Sequence, residues 1–357
     1  MPLRDLYALP ADVSRWHVPQ GFDVVFDWDF DEGRAAMLGL YRKGKKLQWD
    51  AEQRIDWSQE LDPENPEQLP DESLPVHGMP RFESLSRAAK ADVRRHFQAW
   101  QISQFLQGEQ GALVCTAKIV TQVPDMDAKF YAATQVADEA RHVEADSMLL
   151  RKFGVAYPMT PPLRELIEQV LRDSRWDITY LGMQVIIEGL ALAAFQQIRD
   201  AAQNPLAAAV NAYVMQDEAR HVAFGRLALR DYYPTLTESE RREREQFVVE
   251  ACYLMRDRFD AVEVWDKVGL DAKECGAWML ESGFMQRFRS TLFTRIVPIV
   301  RDIGLWGDTV RDGYAKMGIL GYADADVEAL QREDDRIARD FDARRKEVRD
   351  VVAKAEG

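Results

Sequence analysis

The six residues Asp138–Val143, with the sequence Asp-Glu-Ala-Arg-His-Val, recur unchanged as residues Asp217–Val222, 79 residues further along the chain. Each copy contains Glu-x-x-His, and the first pair is Glu139 and His142. Three residues turn by about 300° around an α-helix, so the carboxylate and the imidazole lie on one face of the helix. Both groups bind transition metals. The duplicated hexapeptide therefore indicates two helices that each present a metal-binding face.

A lone glutamate precedes each hexapeptide at the same interval. Glu109 lies 30 residues before Glu139, and Glu188 lies 30 residues before Glu218; both lone glutamates stand in apolar helical stretches. A carboxylate in such a place is costly unless something compensates its charge. The repeated unit is therefore longer than the hexapeptide and includes a second, buried carboxylate.

Prolines mark a turn in the middle of each repeated unit. Pro124 is 15 residues from the glutamate on either side, and Asn204-Pro205 provides the break in the second unit. Because proline ends a helix, each unit is predicted to form an antiparallel helical hairpin with its two glutamates at the same depth. The repeat thus predicts four helices of nearly 30 residues, arranged as two hairpins.

The segments around the hairpins complete an all-α fold class with a single structural domain. Residues 84–232 are predicted to form the four-helix bundle, with residues 152–173, which contain three prolines, as a crossover connection outside it. Residues 1–83 are rich in Pro, Trp and Asp and are predicted to be an irregular N-terminal segment that wraps around the bundle. Residues 233–357 are predicted to form additional C-terminal helices.

The C-terminal segment is longer than metal storage alone requires, which favours a substrate. Residues 238–268 and 272–304 are predicted to be two helices, the second with apolar residues at helical intervals. Residues 324–354 are charged and amphipathic, and we expect a surface helix or a contact between subunits. A homodimer is one expectation from this segment.

The pattern of lone and paired glutamates resembles the ferritin-like non-haem di-iron superfamily over about residues 84–232, and the duplicated Asp-Glu-x-Arg-His motif is most similar to its bacterial oxygenase branches. The resemblance implies a ferritin-like four-helix bundle that holds two iron ions, Fe2+ or Fe3+, or one manganese and one iron, with O2 as co-substrate. The implied metal ligands, through which the centre would be catalytic, are Glu109, Glu139, His142, Glu188, Glu218 and His221.

The same resemblance implies a role for each ligand. By the family pattern, Glu139 and Glu218 bridge the two ions. The lone glutamate and the histidine of each unit complete the two sites: Glu109 with His142, and Glu188 with His221. The chemistry is reasonable independently of the family, because four carboxylates against two divalent cations leave a buried site near neutrality.

Four further residues are predicted to support the ligands. Asp138 and Asp217 are placed to accept the free imidazole N–H, across the bundle in the family arrangement. Arg141 and Arg220 stand three residues further along and can pair with these aspartates. Residues that bind the substrate are not assigned.

Two positions bear on the subtype. Ribonucleotide reductase small subunits place a radical-forming tyrosine four residues after the first motif's histidine, where this chain has Asp146, so radical storage is disfavoured. Arylamine N-oxygenases carry an additional histidine one turn before the second motif's glutamate, where this chain has Val214, which disfavours that subclass. The spacing is similar to that of coenzyme A thioester epoxidases, and chlorophyll-synthesis cyclases share the second motif.

The sequence therefore predicts a di-iron-dependent monooxygenase that hydroxylates, epoxidises or N-oxygenates a small organic substrate. Alternatives are a di-iron oxidase or desaturase without oxygen insertion, a ferroxidase or iron-handling protein, and a metal-free helical interaction module. The chain has no nucleotide-binding GxGxxG and no cysteine cluster. An external electron donor, either a reductase or a ferredoxin, is therefore expected.

Composition limits the partners and the location. The chain of 357 residues has 60 acidic and 46 basic residues and a net charge of −14, which disfavours nucleic acid and anionic membranes. Its most apolar stretch, residues 181–198, is interrupted by polar residues, so no membrane-spanning segment is predicted. Three widely spaced cysteines indicate no disulfide framework, and a reducing, cytoplasmic location is expected.

Overall fold

The computed structural model of the protein describes residues 8, 21, 34–337, 339, 340 and 343. These residues form α-helices joined by short turns, and no β-strand occurs among them, which confirms the predicted all-α class. Most of the N-terminal segment before residue 34, and most of the predicted surface helix beyond residue 337, lie outside the described residues. The division of the chain into three segments of one domain stays a prediction.

The helices are numbered in chain order. They are α1 (Ala35–Lys46), α2 (Ala51–Arg54), α3 (Pro80–Glu83), α4 (Arg87–Gln122), α5 (Met126–Phe153), α6 (Pro161–Arg172), α7 (Trp176–Tyr180), α8 (Glu188–Ala201), α9 (Pro205–Tyr232), α10 (Glu238–Asp257), α11 (Val262–Lys267), α12 (Ala272–Glu281), α13 (Gly283–Thr291), α14 (Ile296–Asp302), α15 (Asp308–Met317) and α16 (327–337).

Two helical hairpins form the predicted ferritin-like bundle. Helix α4 packs along α5, and α8 packs along α9, while α5 and α9 also contact each other. The turns lie at the prolines: α4 ends at Gln122 and α5 begins at Met126, and Pro205 is the first residue of α9. The side chains of Asp125 and Asn204 accept backbone N–H groups at the starts of α5 and α9.

The third bundle helix runs continuously from Trp176 to Ala201 and contains one irregular part. Residues Leu181–Ile187 between α7 and α8 form a π-helical segment, directly before Glu188. Such segments occur often at functional sites, because the extra residue shifts the side chains that follow. The whole helix is long and apolar enough to cross a membrane by length and composition, but 94% of its most apolar window is buried inside the protein. This burial is typical of a core helix.

The crossover connection is partly helical. Pro161 and Pro162 occupy the first positions of α6, where their missing N–H groups cost nothing. Leu163, Ile167 and Val170 on α6 are fully buried. The connection therefore covers one side of the bundle as well as joining its two hairpins.

The prediction of an irregular N-terminal segment is wrong for residues 35–46, which form α1. This helix packs against α5 and α9, and its Met37 and Leu38 side chains are buried. The sequence pattern did not indicate this helix, because only two of its apolar side chains are fully buried and most of its other residues are polar. The remaining described residues before α4 form short helical turns and loops, as the prolines predicted.

The prediction of two long C-terminal helices, over residues 238–268 and 272–304, is also wrong. The first is interrupted by a 3-10 turn at Arg258–Asp260, followed by Ala261 in the left-handed backbone region with φ 47°. The second is divided into α12, α13 and α14, and the Ser282 side chain caps the start of α13. Local caps and turns override the helical periodicity at these points, and the first break directs Arg258 inward.

Candidate metal centre

The structure brings all six predicted ligands together in the middle of the bundle. Helices α4 and α8 each contribute the lone glutamate, and α5 and α9 each contribute a glutamate and a histidine one turn apart. Their donor atoms form two overlapping groups that could each hold a metal ion. All six side chains are buried: Glu109, Glu139, His142, Glu188, Glu218 and His221.

Glu139 and Glu218 lie between the two imidazole rings. His142 Nδ1 is 3.4 Å from a Glu139 oxygen and 3.1 Å from a Glu218 oxygen. His221 Nδ1 is 3.1 Å from Glu139 and 3.4 Å from Glu218. Each of these carboxylates therefore faces both rings, which is the position that bridging carboxylates require.

The two lone glutamates lie at opposite ends of this arrangement. Glu109 is 3.2 Å from His142 Nδ1, and Glu188 is 3.9 Å from His221 Nδ1. Neither has a corresponding contact with the other ring among the ion pairs of the described residues. The geometry thus has the pseudo-twofold arrangement expected from the duplicated hairpin, although the role of each residue as a ligand stays a prediction.

The electrostatics of the cluster fit a cationic occupant. Burial and the neighbouring carboxylates raise the pKa of Glu109 and of Glu188 well above the ordinary range. Buried oxygens of Glu139, Glu188 and Glu218 have no hydrogen-bond donor within the described structure. Four buried carboxylates, two imidazoles and unpartnered acceptors are costly together unless cations compensate them. The donor set therefore suits two divalent metal ions.

Each histidine is held from behind by the aspartate of the opposite repeat. His142 Nε2 is 3.2 Å from Asp217 Oδ2, and His221 Nε2 is 3.3 Å from Asp138 Oδ2. A carboxylate that accepts the Nε2 proton leaves Nδ1 without a proton and directed at the cluster. The predicted contacts across the bundle are therefore present.

The two predicted arginines link the aspartates. Arg141 donates to Asp138 at 2.5 Å and to Asp217 at 2.7 Å, and so spans both repeats. Arg220 donates to Asp217 and lies 3.5 Å from Asp138. Because all four side chains are buried, the arginines balance the aspartate charges and fix the orientation of both carboxylates.

Sequence reasoning missed two residues of the N-terminal segment that complete this network. Trp49 donates its indole N–H to Asp217 at 2.8 Å, and Gln48 donates to Asp138 at 2.6 Å. The guanidinium of Arg141 also lies 4.7 Å from the Trp49 ring centroid. Neither residue belongs to a repeat or a motif, so no sequence signal marked them.

Gln135 was also missed, although its spacing offered a signal. It stands one turn before Glu139, and its amide donates to Glu139 and to Glu188, both at 2.9 Å. It therefore ties the two hairpins together at the cluster. The equivalent position of the second repeat is Val214, which is completely buried and carries no donor atom.

Asp146 lies one turn beyond His142 and is buried, and its Oδ2 atom has no hydrogen-bond partner in the part of the chain that the structure describes. Burial raises the pKa of its carboxyl to about 7, and Glu218 adds to the rise. Glu67 is a second carboxyl, and neither of its oxygens has a hydrogen-bond partner among the described residues. Burial, with Asp146 next in importance, raises the pKa of Glu67 to about 8. Both acids are thus stabilised in the neutral form.

A small cavity of about 20 Å³, room for about one water molecule, borders the cluster. Glu109, Glu188 and Glu218 of the cluster line it, and most of its remaining lining is apolar. Ala112 and Ala191 contribute small apolar side chains to the wall. Among the described residues, Arg258 from the C-terminal helices is the one basic residue that lines the cavity.

The fold and the cluster define a class of protein, the ferritin-like helical bundles that can hold two metal ions. More particularly, the chain belongs to the family of the p-aminobenzoate N-oxygenase AurF, whose family model matches residues 31–304. The chain is accordingly an oxidoreductase that activates O2 as an oxygenase. No curated protein matches the chain at a significant level.

Family membership overturns the argument that Val214 made against the arylamine N-oxygenases. The match extends over more than half of the chain, whereas the absent histidine is a single position. The sequence argument gave too much weight to one ligand position, because the chain belongs to the family although it lacks that histidine. The substitution remains a real difference at the cluster, since Val214 cannot bind a metal ion.

Solved structures with similar folds include two variants of an R2-like ligand-binding oxidase with a Mn/Fe cofactor. The anaerobically reconstituted variant has a TM-score of 0.53 and the aerobically reconstituted one 0.50; both are 16% identical and cover 78% of this chain and 96% of theirs. A Synechococcus protein with aldehyde deformylating oxidase activity has a TM-score of 0.46 at 18% identity, over 64% of this chain and 98% of that chain. The two oxidase structures support the helical fold.

Proposed function

We propose that the protein is an N-oxygenase of small aromatic amines with a dinuclear metal centre, either two iron ions or manganese and iron. Glu109 and His142 hold one ion and Glu188 and His221 the other in this proposal. The remaining two carboxylates, Glu139 and Glu218, bridge them. The observation that carries the proposal is that these two carboxylates each face both Nδ1 atoms inside a chain of the AurF family.

When bound, the metal centre would supply the redox chemistry that activates O2. The protein's own residues supply orientation and exclusion of water. Asp217 and Asp138 hold the imidazole protons on Nε2, and Gln135 donates to one oxygen each of Glu139 and Glu188. The apolar cavity wall separates the substrate from water, which favours reaction with the bound amine.

Three associated proposals concern the setting of the reaction. An external electron donor is required because each turnover consumes electrons and the sequence contains no cofactor-binding fingerprint that could supply them. The three cysteines are buried and free, which supports a reducing, cytoplasmic location. A homodimer is proposed from the amphipathic C-terminal segment.

The decisive experiment combines metal analysis with isotope labelling. The protein is loaded anaerobically with Fe(II), reduced chemically and exposed to 18O2 with 4-aminobenzoate or aniline. We expect about two metal ions per chain and labelled oxygen on the nitrogen of the product. Oxidised amine without label would identify an oxidase. Metal binding with label on carbon instead would contradict N-oxygenation.

A further inference from the structure

Glu67 and Asp146 are exceptions among the buried acids outside the candidate metal centre. Both oxygens of Glu67 and the Oδ2 atom of Asp146 are buried without a hydrogen-bond partner among the described residues. The other buried acids outside the centre each accept a hydrogen bond from an arginine side chain or a backbone N–H: Asp127, Asp138, Asp177, Asp217, Glu245 and Asp334. A buried acid without a donor is costly, so stability alone does not explain this pair.

The backbone of Glu67 is held between α4 and the turn before α9. Its N–H donates to the buried Gln98 side chain at 3.0 Å, and its carbonyl accepts the Asn204 N–H at 3.3 Å. The next residue, Gln68, has φ 52°, which a residue with a side chain adopts only at a cost. Gln68 is half-buried, whereas Glu67 is completely buried. The side chain of Glu67 therefore begins close to the surface and ends inside the protein.

Asp146 is the charged group that faces Glu67 from the bundle. Burial raises the pKa of Glu67 to about 8, and the charge of Asp146 adds to the rise. Asp146 lies on α5 one turn after His142, so its side chain is on the helix face that carries the cluster. The charged groups that act on Asp146 in turn are His142 and Glu218. The two acids thus connect the segment before α4 with the cluster.

The acidities of the two carboxyls suit proton transfer near neutral pH. Burial raises the pKa of Asp146 to about 7, close to that of Glu67. A group passes protons efficiently when its pKa lies near the working pH, because it then both binds and releases them readily. Rotation of the Glu67 side chain breaks no hydrogen bond to any described residue. A glutamine could fill the same place without the cost of a buried charge, but it could not carry a proton.

We propose that Glu67 and Asp146 relay protons from the protein surface to the metal cluster. Insertion of one oxygen atom from O2 consumes two electrons and two protons and yields one water molecule. The inference rests on the proposed function for its external electron donor, but it holds for any organic substrate. Asp146 releases each proton to the oxygen that becomes water, Glu67 reprotonates Asp146, and bulk water reprotonates Glu67. The two acids are therefore unchanged after each turnover, and they bind neither metal nor substrate.

The first measurement detects the proton on Glu67 directly. Difference infrared spectra are recorded on the Zn(II)-loaded protein, because zinc fills the cluster without reducing O2. We expect the wild type to lose a protonated-carboxyl C=O band between pH 6 and pH 9, and Glu67→Gln to lack that band. Glu64→Gln is the matched control, since Glu64 lies in the same segment, is partly exposed and pairs with Arg87. Its spectra should match those of the wild type.

The second measurement follows O2 consumption by the Fe(II)-loaded protein with ascorbate and 4-aminobenzoate, from pH 6 to pH 9 in H2O and in D2O. Glu67→Gln should lower kcat about tenfold or more and enlarge the solvent isotope effect, because protons must then take a slower path. The KM of the amine should change little. Asp146→Asn should act similarly, whereas Glu67→Asp keeps an acid and should retain more activity. Glu64→Gln should equal the wild type.

Thermal unfolding and metal content show whether each variant is folded and loaded. A loaded Glu67→Gln with the wild-type rate of O2 consumption and the wild-type pH profile would overturn the proposal. Identical infrared spectra of the wild type and Glu67→Gln from pH 6 to pH 9 would also overturn it, because Glu67 would then release no proton in that range.

The fate of the oxygen atoms separates this proposal from the proposed function. In 18O2, a rate of O2 consumption that depends on Glu67, without label on the nitrogen of the product, would reject the N-oxygenase and leave the proton relay intact. Labelled N-oxygenated product formed by Glu67→Gln at the wild-type rate would reject only the proton relay.

Discussion

The residues at the candidate metal centre fall into two groups. Some face the cluster, and others only hold the facing residues in position. Glu218 faces both imidazole rings, whereas Asp217 beside it in the sequence contacts the far nitrogen of His142. A change at the first position removes a proposed metal ligand. A change at the second alters the orientation of a ligand that remains.

Glu218→Ala should lower bound iron well below two ions per chain, because the proposed bridge to both ions is lost. Elemental analysis after anaerobic loading with Fe(II) measures the effect. Glu144→Ala is a suitable control, since Glu144 is an exposed residue on α5. An unchanged iron content in Glu218→Ala would disprove the ligand assignment.

Asp217→Asn should reduce turnover about tenfold or more while most of the metal is retained. The neutral amide cannot compensate the positive charges of Arg141 and Arg220. It also presents either its NH2 donor or its carbonyl acceptor to His142 in place of a carboxylate oxygen. Turnover and metal content are measured on the same samples. The control is Asp231→Asn, because Asp231 lies on the same helix and is exposed. Equal losses of both quantities would mean that Asp217 binds the metal itself.

Glu67→Gln should make the protein more stable at high pH. Burial raises the Glu67 pKa from 4.5 to about 8, so the folded state keeps a proton that the unfolded chain loses. The stability that the protonated carboxyl contributes is complete below pH 4.5 and is lost as the pH rises through about 8. Glutamine has no proton to lose, so it should avoid a cost of roughly 2–4 kcal/mol.

Urea unfolding at pH 5 and pH 8.5 measures this difference. The free energies of unfolding of the wild type and Glu67→Gln should be equal at pH 5. At pH 8.5 the free energy of unfolding of Glu67→Gln should be the larger. Glu64→Gln serves as the control, because Glu64 is partly exposed and pairs with Arg87. A constant difference between wild type and Glu67→Gln at both pH values would show that the Glu67 pKa is not raised.

At the scale of elements, close packing of helices sets the depth of the ligands. Gly225 on α9 faces the π-helical segment, and a Cβ atom there would lie 2.5 Å from Gln184 Cβ. That distance is far below van der Waals contact, so the two helices approach closely only because residue 225 has no side chain. The approach places Glu188 and Glu218 in one cluster.

Gly225→Ala should therefore destabilise the protein by about 1–3 kcal/mol and lower its iron content, because α9 must move away from the segment before Glu188. Gly276→Ala on α12 is the matched control. A Cβ atom at residue 276 meets nothing within 4 Å, and alanine favours the helix by about 0.5–1 kcal/mol. Equal stability of Gly225→Ala and wild type would show that a methyl group fits between α9 and the π-helical segment.

For the whole molecule, metal binding and folding should be coupled through pH. The raised pKa values of Glu109 and Glu188 mean that the metal-free fold is stabilised by protons, and this contribution is lost as the pH rises. Metal ions replace those protons as the compensating charge. The gain in Tm on loading with Fe(II) should therefore be larger at pH 8 than at pH 6.

Anaerobic thermal unfolding of chelated and loaded protein measures this gain. Glu218→Ala should lose most of it at both pH values, because a cluster without the proposed bridge binds metal weakly. A gain that is the same at pH 6 and pH 8 would mean that protons and metal ions do not compete for these carboxylates.

Much of the bundle could be predicted from the sequence because its determinants are local. Three of these determinants lie within one hairpin. They are the interval between Glu109 and Glu139, the proline between these two residues, and the three-residue spacing of Glu139 and His142. Helical geometry converts such spacings into shared faces and shared depths. The duplicated hexapeptide then places the second hairpin by the same rules, and the candidate ligands follow.

The other features of the site could not be predicted from the sequence. They depend on tertiary contacts between residues that are distant in the chain and share no periodic pattern. Trp49 reaches Asp217 from the N-terminal segment, and Glu67 lies buried beside a bundle helix only after the chain has folded. Arg258 faces the cavity because a turn interrupts a helix that the periodicity predicts as continuous. The sequence by itself thus determined the four helices and the candidate metal ligands, whereas packing between distant segments decided which residues support the cluster and which charge lines the cavity beside it.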